Sequence, residues 1–125
     1  KSEEMSNVQK CMMYFDTEID LILDEYGWDG VDEIIELIKS GLEKDGTVFK
    51  LLEYDNDYRS WCFCLSYENR KYDSYYLNHL GCKLHYTPKY WKAYKKAKRI
   101  LEDPELNKKC NLITKIIHDW KKLNN

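Results

Sequence analysis

Apolar residues recur every three or four positions through the first third of the chain, which predicts two amphipathic helices, at residues 7–26 and 30–42. The apolar face of the first helix comprises Val8, Cys11, Met12, Phe15, Ile19, Ile22 and Tyr26. The apolar face of the second comprises Val31, Ile34, Ile35, Ile38 and Leu42. Both helices therefore present one stripe to a common core and one polar face outward.

The ends of the first helix have recognisable signals. Ser6, followed three residues later by Gln9, has the form of a capping box. Gly27 is expected to end the helix, because glycine is the residue that most readily leaves the helical conformation at a C-terminus. Asp16-Thr17 offers an alternative break into two shorter helices, but the continuous apolar stripe favours a single one.

Beyond residue 46 the apolar period shortens to two, which predicts strands at about 47–54, 58–67 and 72–79, with 83–86 as a candidate fourth. The second strand alternates most clearly. One of its faces comprises Trp61, Phe63, Leu65 and Tyr67, and the other comprises Cys62, Cys64 and Ser66. Short turn sequences between these strands predict an antiparallel meander, with one face covered by helices.

Two further helices are predicted at about 88–102 and 104–123, because Thr87-Pro88 and Asp103-Pro104 each combine a capping residue with a proline in the first helical position. The chain of 125 residues is long enough for one domain. We therefore expect a single compact α+β domain. Its three- or four-stranded antiparallel meander is packed by two N-terminal and two C-terminal helices.

Cysteine content and hydropathy predict a cytoplasmic protein. The five cysteines are an odd number without framework spacing, which favours reduced thiols. No apolar run approaches the roughly 20 residues that cross a bilayer, and no signal-peptide pattern opens the sequence, so no membrane partner is expected. Lysine outnumbers arginine 17 to 3, a bias that fits an AT-rich coding sequence from a low-GC bacterium or its phage.

The net charge of −2 conceals an uneven distribution. Residues 1–68 contain 17 acidic and 6 basic side chains, whereas residues 69–125 contain 14 basic and 5 acidic ones. Such polarity points to a charged macromolecular partner. The alternative is that the two halves face each other and neutralise one another within the fold.

The acidic half leads to the first functional hypothesis, a non-enzymatic protein that binds a basic surface. Its most concrete form is an inhibitor of a nucleic-acid-processing enzyme, such as a toxin-immunity protein or a phage anti-defence protein. The predicted acidic face comprises Glu18, Asp20, Asp24, Asp32, Glu33 and Glu36. Exposed tyrosines are expected to add contact area, with Tyr58, Tyr72 and Tyr75 as the candidates. The competing interpretation is an ordinary solvated helix face.

The basic half leads to the alternative hypothesis, direct and non-specific nucleic-acid binding. Within the helix at 88–102, one face collects Lys89, Lys92, Lys95, Lys96 and Arg99. Such a face neutralises phosphates, although the scarcity of arginine argues against reading of base sequence. A lysine face that only confers solubility is the competing explanation.

A third hypothesis is a small enzyme or a zinc-supported fold. Soft metal ligands are available in sufficient number, namely Cys62, Cys64, His79, Cys82 and His85. A general acid–base site could form from His79, His85 and Tyr86. However, C-x-C within a strand is not a familiar zinc spacing, and no nucleophile elbow or phosphate-binding glycine loop is present. We therefore predict no cofactor, no metal and no catalytic residue.

Overall fold

The computed structural model describes residues 6–52, 61–73 and 88–125. Within these ranges the chain forms three helices and a three-stranded antiparallel sheet, which confirms the α+β class. The helices are α1 (Asn7–Glu43), α2 (Pro88–Leu101) and α3 (Pro104–Asn124). The strands are β1 (Val48–Leu51), β2 (Phe63–Tyr67) and β3 (Arg70–Asp73).

Helix α1 is one kinked element where the sequence predicts two helices. It begins at the predicted capping box, since Ser6 Oγ accepts from the Gln9 N–H at 3.1 Å and Gln9 Oε1 accepts from the Ser6 N–H at 2.9 Å. It is interrupted at Gly27, where φ is 71° and ψ is −168°. This conformation is essentially restricted to glycine. The helix resumes immediately after Gly27, earlier than predicted, and no break occurs at Asp16-Thr17.

The sheet has the order β1-β2-β3, with Phe49 opposite Leu65 and Leu65 opposite Tyr72. Glu68 and Asn69 form the β2–β3 turn with φ of 48° and 63°, the two positive values of a type I′ turn. This two-residue turn allows Arg70 and Lys71 to pair, so β3 begins before the predicted residue 72. The predicted strand segments at 53–54, 58–60, 74–79 and 83–86 lie outside the described residues.

The core lies where α1 packs against α3 and β1. Phe15 is completely buried, and its ring meets Phe49 at 6.0 Å and Phe63 at 5.0 Å, both edge-on. Every predicted apolar position of α1 except Tyr26, which is half-buried, is buried. Cys62 and Cys64 are also buried, so both faces of β2 are covered at this point.

The C-terminal helices begin at their prolines. Asp103 caps α3, since its Oδ1 accepts from the Glu105 N–H at 3.0 Å. Ala97 and Leu101 of α2 and Leu106, Ile113 and Ile117 of α3 are buried in the core. Among the described residues, no helix combines the length and the apolar character needed to cross a membrane.

Candidate acidic-aromatic interface on helix α1

Five of the six predicted acidic residues are exposed on α1, namely Asp20, Asp24, Asp32, Glu33 and Glu36. The predicted exposure of Glu18 is wrong. The sequence pattern places it on the outer face, but the structure buries it, with Lys121 Nζ of α3 at 2.5 Å from Glu18 Oε2. It is buried because it borders the α1–α3 contact, where a second helix supplies the compensating charge.

The acidic and basic halves neutralise each other only in part. Within the described part of the chain, two ion pairs join an acid of residues 1–68 to a lysine of α3: Glu18 with Lys121, and Asp45 with Lys109 at 2.8 Å. Glu36 lies 3.6 Å from Lys39 within its own helix. Among the described side chains, no ion pair involves Asp20, Asp24, Asp32 or Glu33, so their charge faces solvent. Mutual neutralisation therefore leaves the outer face of α1 strongly negative.

Exposed apolar side chains lie among these acids. Met13 is 50% exposed and Leu21 is 49% exposed. At 3.6 residues per turn, both fall within about 100° of Asp20 and Asp24 around the helix axis. This half of α1 therefore presents mixed acidic and apolar surface, which is more typical of an interface than a purely charged face is.

A cluster of two tryptophans and two aspartates lies at the kink, and we call it the Trp28–Trp61 cluster (Asp16, Asp20, Trp28 and Trp61). The backbone N–H of Trp61 donates to Asp16 Oδ1, and its indole Nε1–H donates to Asp20 Oδ1. The Trp61 ring is buried, and it meets the Trp28 ring edge-on with centroids 5.7 Å apart. Trp28 itself is 57% exposed, so a large aromatic surface faces solvent beside the Trp61 ring, whose indole N–H is bonded to Asp20.

The electrostatics of this cluster reflect its partial burial. Burial raises the pKa of Asp16 above its ordinary value, the Trp61 N–H opposes the increase, and the nearby Asp20 carboxylate adds to it. Each aspartate is bonded to Trp61 through Oδ1 only. Among the described residues, no donor contacts the second oxygen of either carboxylate, and no ion pair involves Asp16 or Asp20.

Sequence reasoning missed this cluster. It interprets Asp16 only as a possible helix break and Trp61 only as a strand residue, and it does not single out Trp28. The available signal is a tryptophan directly after the glycine that ends an apolar stripe, because such a residue leaves the stripe of the preceding helix. The pairing of Trp61 with Asp16 and Asp20 spans 45 and 41 residues, so no local pattern reveals it.

Of the predicted contact tyrosines, only Tyr72 lies among the described residues. It is half-buried, and its hydroxyl donates to Asp103 Oδ2 at 2.7 Å. The same oxygen accepts from the Tyr67 hydroxyl at 2.9 Å and from Arg70 at 2.8 Å. The structure thus places Tyr72 in an internal network that attaches the β2–β3 hairpin to the start of α3.

The basic face of α2 is exposed where its side chains are described. Lys92, Lys95, Lys96 and Arg99 all face solvent, and none forms an ion pair with another described residue. The backbone of Lys89 belongs to the first turn of α2, and its side chain lies outside the described part. Together with the exposed Lys98, these four cations form a second charged surface, of opposite sign to α1.

The candidate metal ligands are divided by the limits of the described chain. Cys62 and Cys64 are both buried. His79, Cys82, His85 and Tyr86 lie outside the described residues, as do Tyr58 and Tyr75. Over residues 6–52, 61–73 and 88–125, no three metal-ligating side chains converge.

No protein-family model, no curated protein and no solved structure matches this chain. Its function is therefore inferred from the charge, exposure and contacts of its own side chains.

Proposed function

We propose that this protein is a small non-enzymatic binding protein whose helix α1 docks onto a basic surface of a macromolecular partner. The most concrete version is an inhibitor of a nucleic-acid-processing enzyme, of the toxin-immunity or phage anti-defence type. The observation that supports it is the outer face of α1. This helix has ten acidic residues against two basic ones, and most of its exposed acids have no described ionic partner.

The physical basis of the proposal is electrostatic steering. An enzyme that binds nucleic acid has a positive cleft, and the field that attracts phosphates attracts an acidic helix equally well. Charge alone accelerates association more than it stabilises the complex. The exposed apolar area of Met13, Leu21 and Trp28 provides the surface that becomes desolvated on contact.

The test compares the wild type with a charge-reversal variant and a matched control. The variant Asp24→Lys/Asp32→Lys/Glu33→Lys changes three exposed side chains that have no described ion pair, so the packing of α1 is preserved. The control Lys92→Gln/Lys96→Gln removes two exposed charges from α2. Each tagged protein is used to capture partners from a nuclease-treated microbial lysate, and captured enzymes are then purified and assayed.

The proposal predicts that the wild type and the α2 control both capture and inhibit the same enzyme. The α1 variant should neither capture nor inhibit it. The association rate of this enzyme with the wild type falls steeply as salt increases, because charge steering is screened. If the α1 variant captures and inhibits the same partners as the wild type, the acidic-face proposal is wrong.

A second candidate function, nucleic-acid binding through α2, is favoured by five described and exposed cations on a helix without any acidic residue. It predicts that affinity for a short DNA duplex falls steeply between about 50 and 200 mM salt. In Lys92→Gln/Lys96→Gln, the slope of log affinity against log salt should decrease by about 1.8, since each lost phosphate contact removes about 0.9. A flat salt response in the wild type would eliminate this candidate.

A further inference from the structure

We propose that Trp28 anchors the α1 docking surface by receiving an arginine side chain of the protein partner on its exposed ring, an inference that rests on the proposed function. The binding chemistry is a guanidinium stacked on the indole and attracted by the acidic side chains of α1. The occupant is thus an arginine on a basic protein surface.

The position of Trp28 supports an anchoring role. More than half of this side chain is exposed, while the Trp61 ring that it contacts is buried and hydrogen-bonded to two aspartates. The Trp61 ring is therefore held in place, and its contact restricts the motion of the Trp28 ring. A restricted aromatic side chain loses little entropy on binding, and tryptophan is the residue type most enriched among binding hot spots.

The charge around Trp28 selects the partner chemistry. Asp20 accepts from the Trp61 indole N–H, so its negative charge lies one side chain away from the Trp28 ring, and further exposed acids lie along the same helix. A phosphate is repelled there, whereas a cation is attracted by both the carboxylates and the ring face. Arginine fits better than lysine, because its planar group is weakly hydrated, stacks on indole and donates to a carboxylate at the same time.

The backbone at Gly27 has a non-helical conformation directly before Trp28, where α1 is interrupted. At about 100° per residue, position 28 lies opposite the apolar stripe of residues 8–26, so its ring points away from that part of the core. A Cβ atom at Gly27 would meet nothing within 4 Å, so the requirement for glycine there is conformational.

The experiment measures binding of a hexa-arginine peptide to the full chain at low salt, with hexa-lysine as the comparison peptide. Titration followed by ¹⁵N NMR reports on the Trp28 indole N–H and on the amides of α1. The variant is Trp28→Ala, Trp28→Phe retains an aromatic ring, and Leu37→Ala is the matched control. Leu37 is likewise an exposed apolar residue of α1 (44%) but has no described contact with the Trp28–Trp61 cluster.

The inference predicts that hexa-arginine shifts the Trp28 indole signal and that Trp28→Ala weakens its binding about five- to thirtyfold. Trp28→Phe should retain part of the affinity for hexa-arginine, and Leu37→Ala should leave it unchanged. The substitution Trp28→Ala should weaken the binding of hexa-lysine less than it weakens the binding of hexa-arginine. Trp28→Phe also keeps the test decisive if Trp28→Ala does not fold.

The inference is overturned if hexa-arginine leaves the Trp28 indole signal unchanged, or if Trp28→Ala and Leu37→Ala bind it equally. Its failure differs from failure of the proposed function. If the α1 charge-reversal variant loses the partner enzyme while Trp28→Ala keeps full affinity, the acidic face binds without this anchor. If the charge-reversal variant keeps the enzyme, the proposed function itself is wrong.

Discussion

Aspartates in two regions of the molecule accept hydrogen bonds from aromatic residues, yet their pKa values shift in opposite directions. In the Asp103 cluster (Tyr67, Arg70, Tyr72 and Asp103), burial would raise the pKa of Asp103. Hydrogen bonds from Tyr72, Tyr67, the Glu105 N–H and Arg70 instead lower it to about 2. In the Trp28–Trp61 cluster, burial dominates and raises the pKa of Asp16.

The difference lies in how completely each carboxylate is satisfied. Both oxygens of Asp103 accept hydrogen bonds, and a guanidinium neutralises its charge. Among the described residues, Asp16 and Asp20 accept from Trp61 alone, and each has the other's negative charge as neighbour. A fully satisfied carboxylate stabilises the fold, whereas a partly satisfied one on the surface remains available to a ligand. The comparison therefore separates a structural cluster from a candidate binding cluster.

The largest effect is expected for Asp103→Ala. This substitution removes the cap of α3 and the shared acceptor of two tyrosines and Arg70, so it should lower the free energy of unfolding by about 3 kcal/mol. Urea denaturation followed by circular dichroism measures it. Asp119→Ala removes an exposed carboxylate of the same helix and is the control, with the free energy of unfolding expected to stay nearly unchanged. Equal effects of the two substitutions would contradict a structural role for the Asp103 cluster.

The next effect is the acid dependence of stability. The pKa of Asp103 is about 2 in the folded protein and 3.8 for the ordinary group, so its folded form binds a proton less readily. Its stabilising contribution, on the order of 2 kcal/mol, is fully present above pH 4 and is lost as the pH falls through 2. Denaturation curves recorded across this window should show a shallower loss in Asp103→Asn than in the wild type. Parallel curves would refute the assignment of this loss to Asp103.

A smaller effect is expected for Gly27→Ala, which disturbs the backbone beneath the Trp28–Trp61 cluster. Because alanine adopts the observed conformation only with strain, the free energy of unfolding should fall on the order of 1–2 kcal/mol. Ser40→Ala, at an exposed helical position, should be neutral or slightly stabilising. Thermal denaturation compares them, and a stabilised Gly27→Ala variant would show that the kink is not required.

The smallest effect, of opposite sign, is expected for Asp16→Asn. The raised pKa of Asp16 means that its charged form costs stability in the folded state above that pKa, and that this cost disappears as the pH falls. Asparagine retains the acceptor for the Trp61 N–H without the charge. The variant should therefore be more stable than the wild type at pH 7, by less than about 1 kcal/mol, and the gain should vanish in acid. If Asp16→Asn is less stable than the wild type at pH 7, the charge of Asp16 does not cost stability, and the proposed difference between Asp16 and Asp103 is wrong.

Much of the secondary structure follows from local pattern. The capping box at Ser6, the interruption at Gly27 and the helix starts at Pro88 and Pro104 each depend on residues within one turn of one another, and the structure has them at those positions. The apolar stripes of α1 and α3 likewise identify the core. The differences occur where elements meet: β3 starts early because of its tight turn, and the two N-terminal helices form one kinked element.

The candidate site was predictable only in its charge. Exposure of Asp20, Asp24, Asp32, Glu33 and Glu36 follows from helical periodicity, because each lies opposite the apolar stripe. Glu18 has almost the same periodicity as Glu25, yet it is buried because the last turns of α3 pass beside it and supply Lys121. Tyr72 follows the strand pattern, yet its hydroxyl is directed to a helix cap 31 residues away.

The amino-acid sequence by itself determined the class of fold, the apolar stripes, the helix caps and the acidic character of α1, since each depends on neighbours a few residues apart. Only the tertiary structure decided which acids remain unpaired and which tyrosine is internal. It also decided that Trp61 joins Asp16 and Asp20 beside an exposed Trp28. Those outcomes depend on how α1, α3 and the sheet approach one another, and long-range packing determines the partners of a charged or aromatic side chain at such contacts.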